Sequence, residues 1–393
     1  MAAARPKLLY LVTEDWYFWS HRLPMARAAR DAGFEVAVAT RVDRHGALIE
    51  GEGFRLLPLP WHRRSLNPLE ALSSIARLVA LYRREAPDLV HHVAVKPVLF
   101  GGLAAWLAGV PAVVNALAGL GTMFIGTGGL KARLAGLVAR PALGAVLRRR
   151  NSLTLLQNED DRRTLAGQGL IDQGRTWIIR GSGIETDHYA VLPEPPAPPV
   201  AIGCAARLLA NKGIDRLVEA VALLRAKGLD VRLIVAGRPD PANPTSFPQD
   251  TLDGWAARPE VELAGHLSDV RELWRRCHVA ALPTLGGEGL PKSLLEAAAS
   301  GRAIVATDVP GCREVARNGE NAILVPPGDV AALAAALETL VRDPELRRRY
   351  GTASRRIVES DMASDKVGAR TVALYRAALK GAAGAASPAR EAS

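Results

Sequence analysis

Val279-Ala280-Ala281-Leu282-Pro283-Thr284-Leu285-Gly286-Gly287-Glu288-Gly289-Leu290-Pro291-Lys292-Ser293-Leu294-Leu295-Glu296-Ala297-Ala298-Ala299-Ser300-Gly301 is the stretch whose reading decides the fold. Val279–Leu282 is a short apolar run, the pattern of a buried strand. A Gly-rich loop follows, and then a helical run. Pro291 suits the first helical turn, where a missing N–H costs nothing, and Gly301 suits the C-terminal stop. A loop leading from a strand into the free N–H groups of a helix is an arrangement that binds phosphate. Glu288 lies in the loop. Glu296 lies one and a half turns into the helix, roughly 8 Å deeper at 1.5 Å per residue. The two carboxylates can therefore meet different parts of one ligand. Either alone also reads as an ordinary turn or surface residue.

The same alternation runs outward in both directions. Toward the C-terminus, Ala303–Thr307 and Ala322–Val325 read as strands. Toward the N-terminus, Val261–Leu263, Val231–Ala236 and Val200–Ala205 do, with a helix predicted over Gly213–Ala226. The first half repeats the grammar: strands over Lys7–Val12, Glu35–Thr40, Leu89–Val95 and Ala112–Asn115, and helices over Leu23–Ala32 and Leu69–Glu85. Strands alternating with helices predict parallel, helix-covered sheets. Residues 193–199 hold five prolines in seven positions and read as a semi-rigid linker. The expected class is therefore α/β, with two Rossmann-like domains facing a cleft. Their bounds are 1–192 and 200–362. A C-terminal helix over 365–380 completes the first, and a disordered tail occupies 381–393.

Size and charge fit that reading. A chain of 393 residues with 49% apolar and 23% charged side chains is too long for one ordinary core. Its three cysteines, Cys204, Cys277 and Cys312, form no Cys-x-x-Cys. They point to a reducing cytosol and to neither disulfides nor a zinc site. No secretory run precedes the first strand. The net charge is +10 and lies in the first half: residues 1–185 carry 24 Lys/Arg against 15 Asp/Glu, while 186–393 carry 26 against 25. A one-sided basic half points to an anionic partner. No aromatic-interleaved basic patch supports nucleic acid.

Two stretches bear on membranes. Residues 97–121 are uncharged, but Pro97, Pro111 and glycines interrupt them, so a buried helix and strand are expected and no transmembrane helix. Met123-Phe124-Ile125 followed by Lys131–Arg150, with Lys131, Arg133, Arg140 and Arg148–Arg150 among Leu, Val and Ala, reads as a basic amphipathic element on an anionic membrane surface. An ordinary surface helix gives the same pattern.

A second chemical cluster is Gly203-Cys204-Ala205-Ala206-Arg207-Leu208-Leu209-Ala210-Asn211-Lys212-Gly213. Arg207 and Lys212 fall at the carboxyl end of a strand, where open α/β sheets bind ligands. Two cations and a helix N-terminus can neutralise a diphosphate without metal. Solvated loop cations would look alike. Together with Glu288-x7-Glu296, Ile304…Gly311…Glu314-Val315 and Leu324-Val325-Pro326-Pro327-Gly328-Asp329, this cluster resembles the retaining family-four glycosyltransferases of the GT-B fold, over essentially the whole chain. Trp16–Pro24, His91–Pro97 and Asn115–Gly121 resemble a narrower group: bacterial enzymes extending undecaprenyl-diphosphate-linked glycans, an N-acetylgalactosaminyltransferase among them.

The resemblance implies an enzyme that moves a hexose or N-acetylhexosamine from a nucleoside-diphosphate donor, UDP-linked, to a polyprenyl-diphosphate-linked glycan. The anomeric configuration is retained. There is no metal and no cofactor besides the nucleotide sugar, and the enzyme works peripherally on the inner face of the cell membrane. Lys212 and Arg207 would hold the diphosphate and Glu288 the donor sugar. Glu296 would hold the ribose, and the backbone of Gly289, Leu290 and Pro291 would touch sugar and phosphate. The loop at Gly265-His266 would lie near the base. Three positions depart from the family pattern. Glu14-Asp15-Trp16 stands where many members have Gly-Gly. Pro291 replaces a glycine. No histidine follows the fourth strand, where Ala118 stands near Asn115, leaving His21, His91 or His92 as substitutes. The competing readings are a nucleotide-sugar epimerase of the same fold and a non-catalytic binding homologue. A nicotinamide dehydrogenase is a third, against which stands the absence of Gly-x-Gly-x-x-Gly after a strand.

Overall fold

A computed structural model describes residues 5–61, 68–117, 119, 130–241 and 243–386. It divides into two units, one of Met1–Gly183 with Ser364–Ser393 and one of Ile184–Ala363.

The first unit is built on seven parallel strands: β1 (Lys7–Glu14), β2 (Glu35–Arg41), β3 (Arg55–Pro58), β4 (Leu89–Val93), β5 (Ala112–Leu117), β6 (Ser152–Leu156) and β7 (Thr176–Ile178). Their order is β3-β2-β1-β4-β5-β6-β7. Every residue of β4 and β5 is buried, as strands covered on both faces require. The helix Leu23–Asp31 and the final helix Ser364–Ala386 pack on one face, around Tyr10, Phe18, Leu374 and Tyr375. That last helix begins one residue before the expected span and continues through 381–386. Those six residues of the expected tail are thus helical, and 387–393 lie outside the described residues.

The uncharged run breaks where its glycine and proline sit: helix Val95–Ala108, then Gly109 at φ 71°, then β5. Its helical half is shorter than a bilayer needs, and no helix among the described residues is long and apolar enough to cross a membrane. Residues 123–125, Ala118 and the side chains of Lys131 and Arg133 lie outside the described residues.

The second unit carries six parallel strands: β8 (Val200–Ala205), β9 (Val231–Ala236), β10 (Val261–Gly265), β11 (Val279–Leu282), β12 (Ala303–Thr307) and β13 (Ala322–Val325). The order is β10-β9-β8-β11-β12-β13. The order reverses between β8 and β11, whose carboxyl ends bear the two clusters read from the sequence. That is the switch point at which open α/β sheets bind ligands.

The expected linker is not one. The chain passes between units at 183–184 and 363–364, and residues 193–199 lie wholly inside the second unit. Prolines cannot donate to a ladder, but their carbonyls still accept. Buried Arg302 donates to the Pro193 carbonyl at 2.8 Å, and buried Arg347 forks onto Glu194 at 3.2 Å. His278 Nε2 lies 3.0 Å from the Pro195 carbonyl. The segment is a strap bound to its unit.

Candidate functional site

Lys212 ends a short 3-10 turn, Ala210–Lys212, that follows β8. Gly213 comes next at φ 68°, and a Cβ there would stand 2.1 Å from the Pro283 carbonyl oxygen. Only glycine lets the β8 loop press against the end of β11. Leu285 N–H donates to the Asn211 carbonyl at 2.8 Å and locks the contact. This seam sets Lys212 Nζ in an ion pair with Glu288 Oε1. Thr284 Oγ1 donates to the same oxygen at 3.0 Å, and Thr307 Oγ1 donates to the Thr284 carbonyl at 2.5 Å. Both members of the pair are mostly shielded, at 16% and 13% side-chain exposure, so their attraction is weakly screened.

The loop after Glu288 is equally confined. A Cβ on Gly311 would meet the carbonyl oxygens of Glu288 and Gly289 at 2.5 and 2.7 Å. Leu290 is buried in the core. Pro291 sits one position earlier than expected. It caps the helix with extended backbone, φ −66° and ψ 116°, and the helix runs Lys292–Ala299. The reason is geometric: a proline reaches the cap with its φ already set, and its carbonyl accepts from Leu295 at 3.2 Å. No side chain caps this N-terminus. At the other end Gly301, φ 74°, closes a Schellman turn, with Arg302 N–H donating to the Ala297 carbonyl at 3.0 Å.

Glu296 belongs to a separate cluster. It is 8% exposed, and Tyr189 Oη donates to its Oε1 at 3.0 Å. Lys292 Nζ stands 3.5 Å from the same oxygen. Burial raises its carboxyl above the ordinary range, against the pull of Lys292 and Tyr189. Glu288 and Glu296 share no partner.

Arg207 lies elsewhere again. Just past β8, it donates to Asp240 at 3.0 Å across a cavity of about 330 Å³. Arg238, His266 and Leu267 line the same cavity, at the carboxyl ends of β8, β9 and β10. Gly265 closes the edge at φ 67°, its carbonyl accepting from Gly237 N–H at 2.7 Å. The structure thus brings Lys212 to Glu288 and Arg207 to His266, and leaves Glu296 with Tyr189. Sequence reasoning missed Thr284, Asp240 and Tyr189. Thr284 stands within the motif and was legible as a hydroxyl beside the loop. Tyr189 and Asp240 lie far from their partners along the chain and carry no local signal.

Of the first-unit histidines named as substitutes, two lie in the core and His21 does not. His91 and His92 are fully buried in β4. His91 Nδ1 is 2.6 Å from Tyr375 Oη, and His92 bridges Tyr82 and Asn115. Burial pushes the pKa of His92 down to about 4. His21 stacks on Tyr17 at 4.4 Å. Asp15, one of the positions that depart from the resemblance, is wholly buried, and its Oδ2 accepts from the backbone N–H groups of Asp43, Arg44 and His45 at 2.8–3.0 Å.

Comparisons with known proteins converge. The family described as glycosyl transferase 4-like matches residues 7–153, and glycosyl transferases group 1 matches 199–343. The N,N'-diacetylbacillosaminyl-diphospho-undecaprenol alpha-1,3-N-acetylgalactosaminyltransferase of Campylobacter jejuni is 27% identical over 83% of this chain and 87% of its own. A glycosyltransferase structure from Rickettsia africae superposes with a TM-score of 0.77 at 16% identity, covering 96% of this chain and 99% of that one. Anabaena HepE, solved with UDP and glucose, gives 0.75 at 17%, covering 95% and 100%.

Proposed function

The chain belongs to the glycosyltransferases, 4-like in its first half and group 1 in its second, with two Rossmann-like domains of the GT-B class; on that premise we propose that it transfers a hexose or N-acetylhexosamine from a UDP-linked donor to a polyprenyl-diphosphate-linked glycan, with retention and without metal. Assembly of a surface polysaccharide or glycan is the setting that its relatives' activities support. The observation that carries the reading is the Lys212–Glu288 pair beside an uncapped helix N-terminus.

The reaction places growing negative charge on a departing diphosphate. In this reading the donor phosphate draws Lys212 away from Glu288 and meets the N–H groups of the helix Lys292–Ala299. Both are strongest when the sugar–phosphate bond is breaking. Glu288, released, faces the sugar as it becomes cationic, with Thr284 holding its other contact. Arg207 moves from Asp240 onto the diphosphate, and the cavity between Arg207 and His266 takes the nucleoside. The acceptor hydroxyl enters on the leaving-group face and gives its proton to the donor phosphate, so no protein nucleophile is needed. Acceptor binding falls to the basic first half, at the inner face of the membrane.

Thermal melting with UDP-, GDP- and ADP-sugars tests the donor. A ligand at 100 times its dissociation constant stabilises by about 2.7 kcal/mol. A UDP-sugar should raise the melting point most. The same donor incubated without acceptor should stay unchanged; conversion to an epimer under those conditions would overturn the transferase reading of this site.

A further inference from the structure

We infer that Tyr189 is a positioning residue of the donor site: its hydroxyl fixes Glu296 so that one carboxylate oxygen is kept open for the ribose hydroxyls of the nucleotide. This rests on the proposed role of Glu296. Tyr189 Oη and Lys292 Nζ both converge on Oε1, at 3.0 and 3.5 Å. No hydrogen bond to Oε2 is seen among the described residues, and Oε2 is not one of the buried atoms left without a partner, so it is the oxygen of this mostly buried side chain that stays accessible. An accessible carboxylate oxygen whose lone pairs the protein's own donors do not use is available to a ligand donor. One carboxylate oxygen offers two lone pairs, enough for a vicinal diol. Ribose presents that diol, and a deoxyribose does not.

Tyr189 is itself held in place. Arg355 Nη1 donates to the Thr186 carbonyl at 3.1 Å and to the carbonyls of Tyr189 and Ala299 at 2.5 and 2.9 Å. Segment 186–189 is thereby tied to the C-terminal end of the helix that carries Glu296. Arg271 adds a bond to the His188 carbonyl at 3.0 Å. Lys292 cannot replace this: its side chain is 31% exposed, on a flexible stem, and stands beyond hydrogen-bond distance. Burial and the nearby Glu296 carboxylate keep the Tyr189 phenol protonated, hence a permanent donor.

The test is calorimetric titration of wild type and Tyr189→Phe with UDP and with 2′,3′-dideoxy-UDP, with donor KM and kcat measured in parallel. Losing a hydrogen bond to a charged group should weaken UDP binding about tenfold. Dideoxy-UDP binding should change less than about twofold, because the misplaced oxygen has no hydroxyl to meet. KM for donor should rise with kcat nearly constant, and the melting point should hold. Equal losses on both nucleotides, or none, overturn the inference while leaving the Glu296 role standing. A wild type that does not distinguish the two nucleotides overturns both. Should Tyr189→Phe melt early, Arg355→Lys provides the second variant: it loosens the segment, and it too must lower the preference for UDP.

Discussion

Lys212, Glu288 and Glu296 are three side chains with three different duties, and kinetics should separate them. Lys212 meets charge that grows in the transition state, so Lys212→Ala should lower kcat as well as donor affinity, by about 2.7–4 kcal/mol if it resembles loss of one oxyanion donor. Glu288→Gln keeps shape but removes charge, and should mainly lower kcat. Glu296→Ala removes contacts to a ribose that does not change during reaction, and should mainly raise donor KM. Steady-state kinetics on folded variants decides; wild-type values for all three would move the donor site elsewhere. Glu296 also has a pH signature. Its carboxyl is raised on folding, so below the unfolded value of 4.5 it is protonated in both states and has no effect. As pH climbs past that value, ionisation is resisted only in the folded state, and stability falls. Glu296→Gln should therefore melt higher than wild type at pH 7, with the gap closing toward pH 4. A gap that widens in acid would reverse the sign. Both glutamates were visible in the sequence because a short motif carries them. Their partners were not, since Tyr189 reaches Glu296 across 107 residues.

At the level of elements, the seam between the β8 loop and the end of β11 places the chemistry. Gly213→Ala forces a left-handed residue and drives a methyl onto the Pro283 backbone, which cannot turn aside. It should cost about 2–3 kcal/mol and weaken donor binding with it. Gly228→Ala is the control, with φ 79° and open space around its Cβ, so it should cost only about 1–2 kcal/mol and leave donor binding alone. Denaturant melts and donor titration read both. The strands of the second sheet were legible nearly to the residue, because each is a short, mostly apolar run, interrupted by a charge only at Arg232 in β9 and Glu262 in β10. β3 and β7, of four and three residues at the sheet edges, were not, since their neighbours supply the stabilisation that their own pattern lacks. β6 was not predicted, because Ser152 and Thr154 interrupt the apolar pattern of Ser152–Leu156. Both are buried, and Ser152 accepts from Asn115 at 2.7 Å. The prolines of 193–199 misled for the opposite reason: their composition says linker, and only the distant Arg302 and Arg347 turn the segment into a strap.

Over the whole molecule, the charge excess of the first half is the feature that the donor site does not use. Arg148–Arg150 follow the helix Leu130–Leu147, and the Arg149 guanidinium lies 5.0 Å over the ring of Trp106, itself 56% exposed. Arg148 and Arg150 are exposed and flank the half-buried Arg149 against that exposed indole, an arrangement that suits an anionic lipid surface. Each cation contributes about 1 kcal/mol there, and salt screens it. Sedimentation with anionic vesicles should fall steeply in high salt and when Arg148–Arg150 become glutamate; equal binding to neutral vesicles would discard the membrane role. The central claim is metal-free, retaining transfer onto a lipid-linked glycan. Its most direct test is the purified protein with a UDP-sugar and an undecaprenyl-diphosphate-linked acceptor in EDTA, followed by mass spectrometry and NMR of the product. The account predicts an acceptor heavier by one sugar, carrying the donor's anomeric configuration, and no product from Lys212→Ala beyond a trace. An inverted linkage, or transfer that appears only when Mg²⁺ or Mn²⁺ is restored, would contradict it.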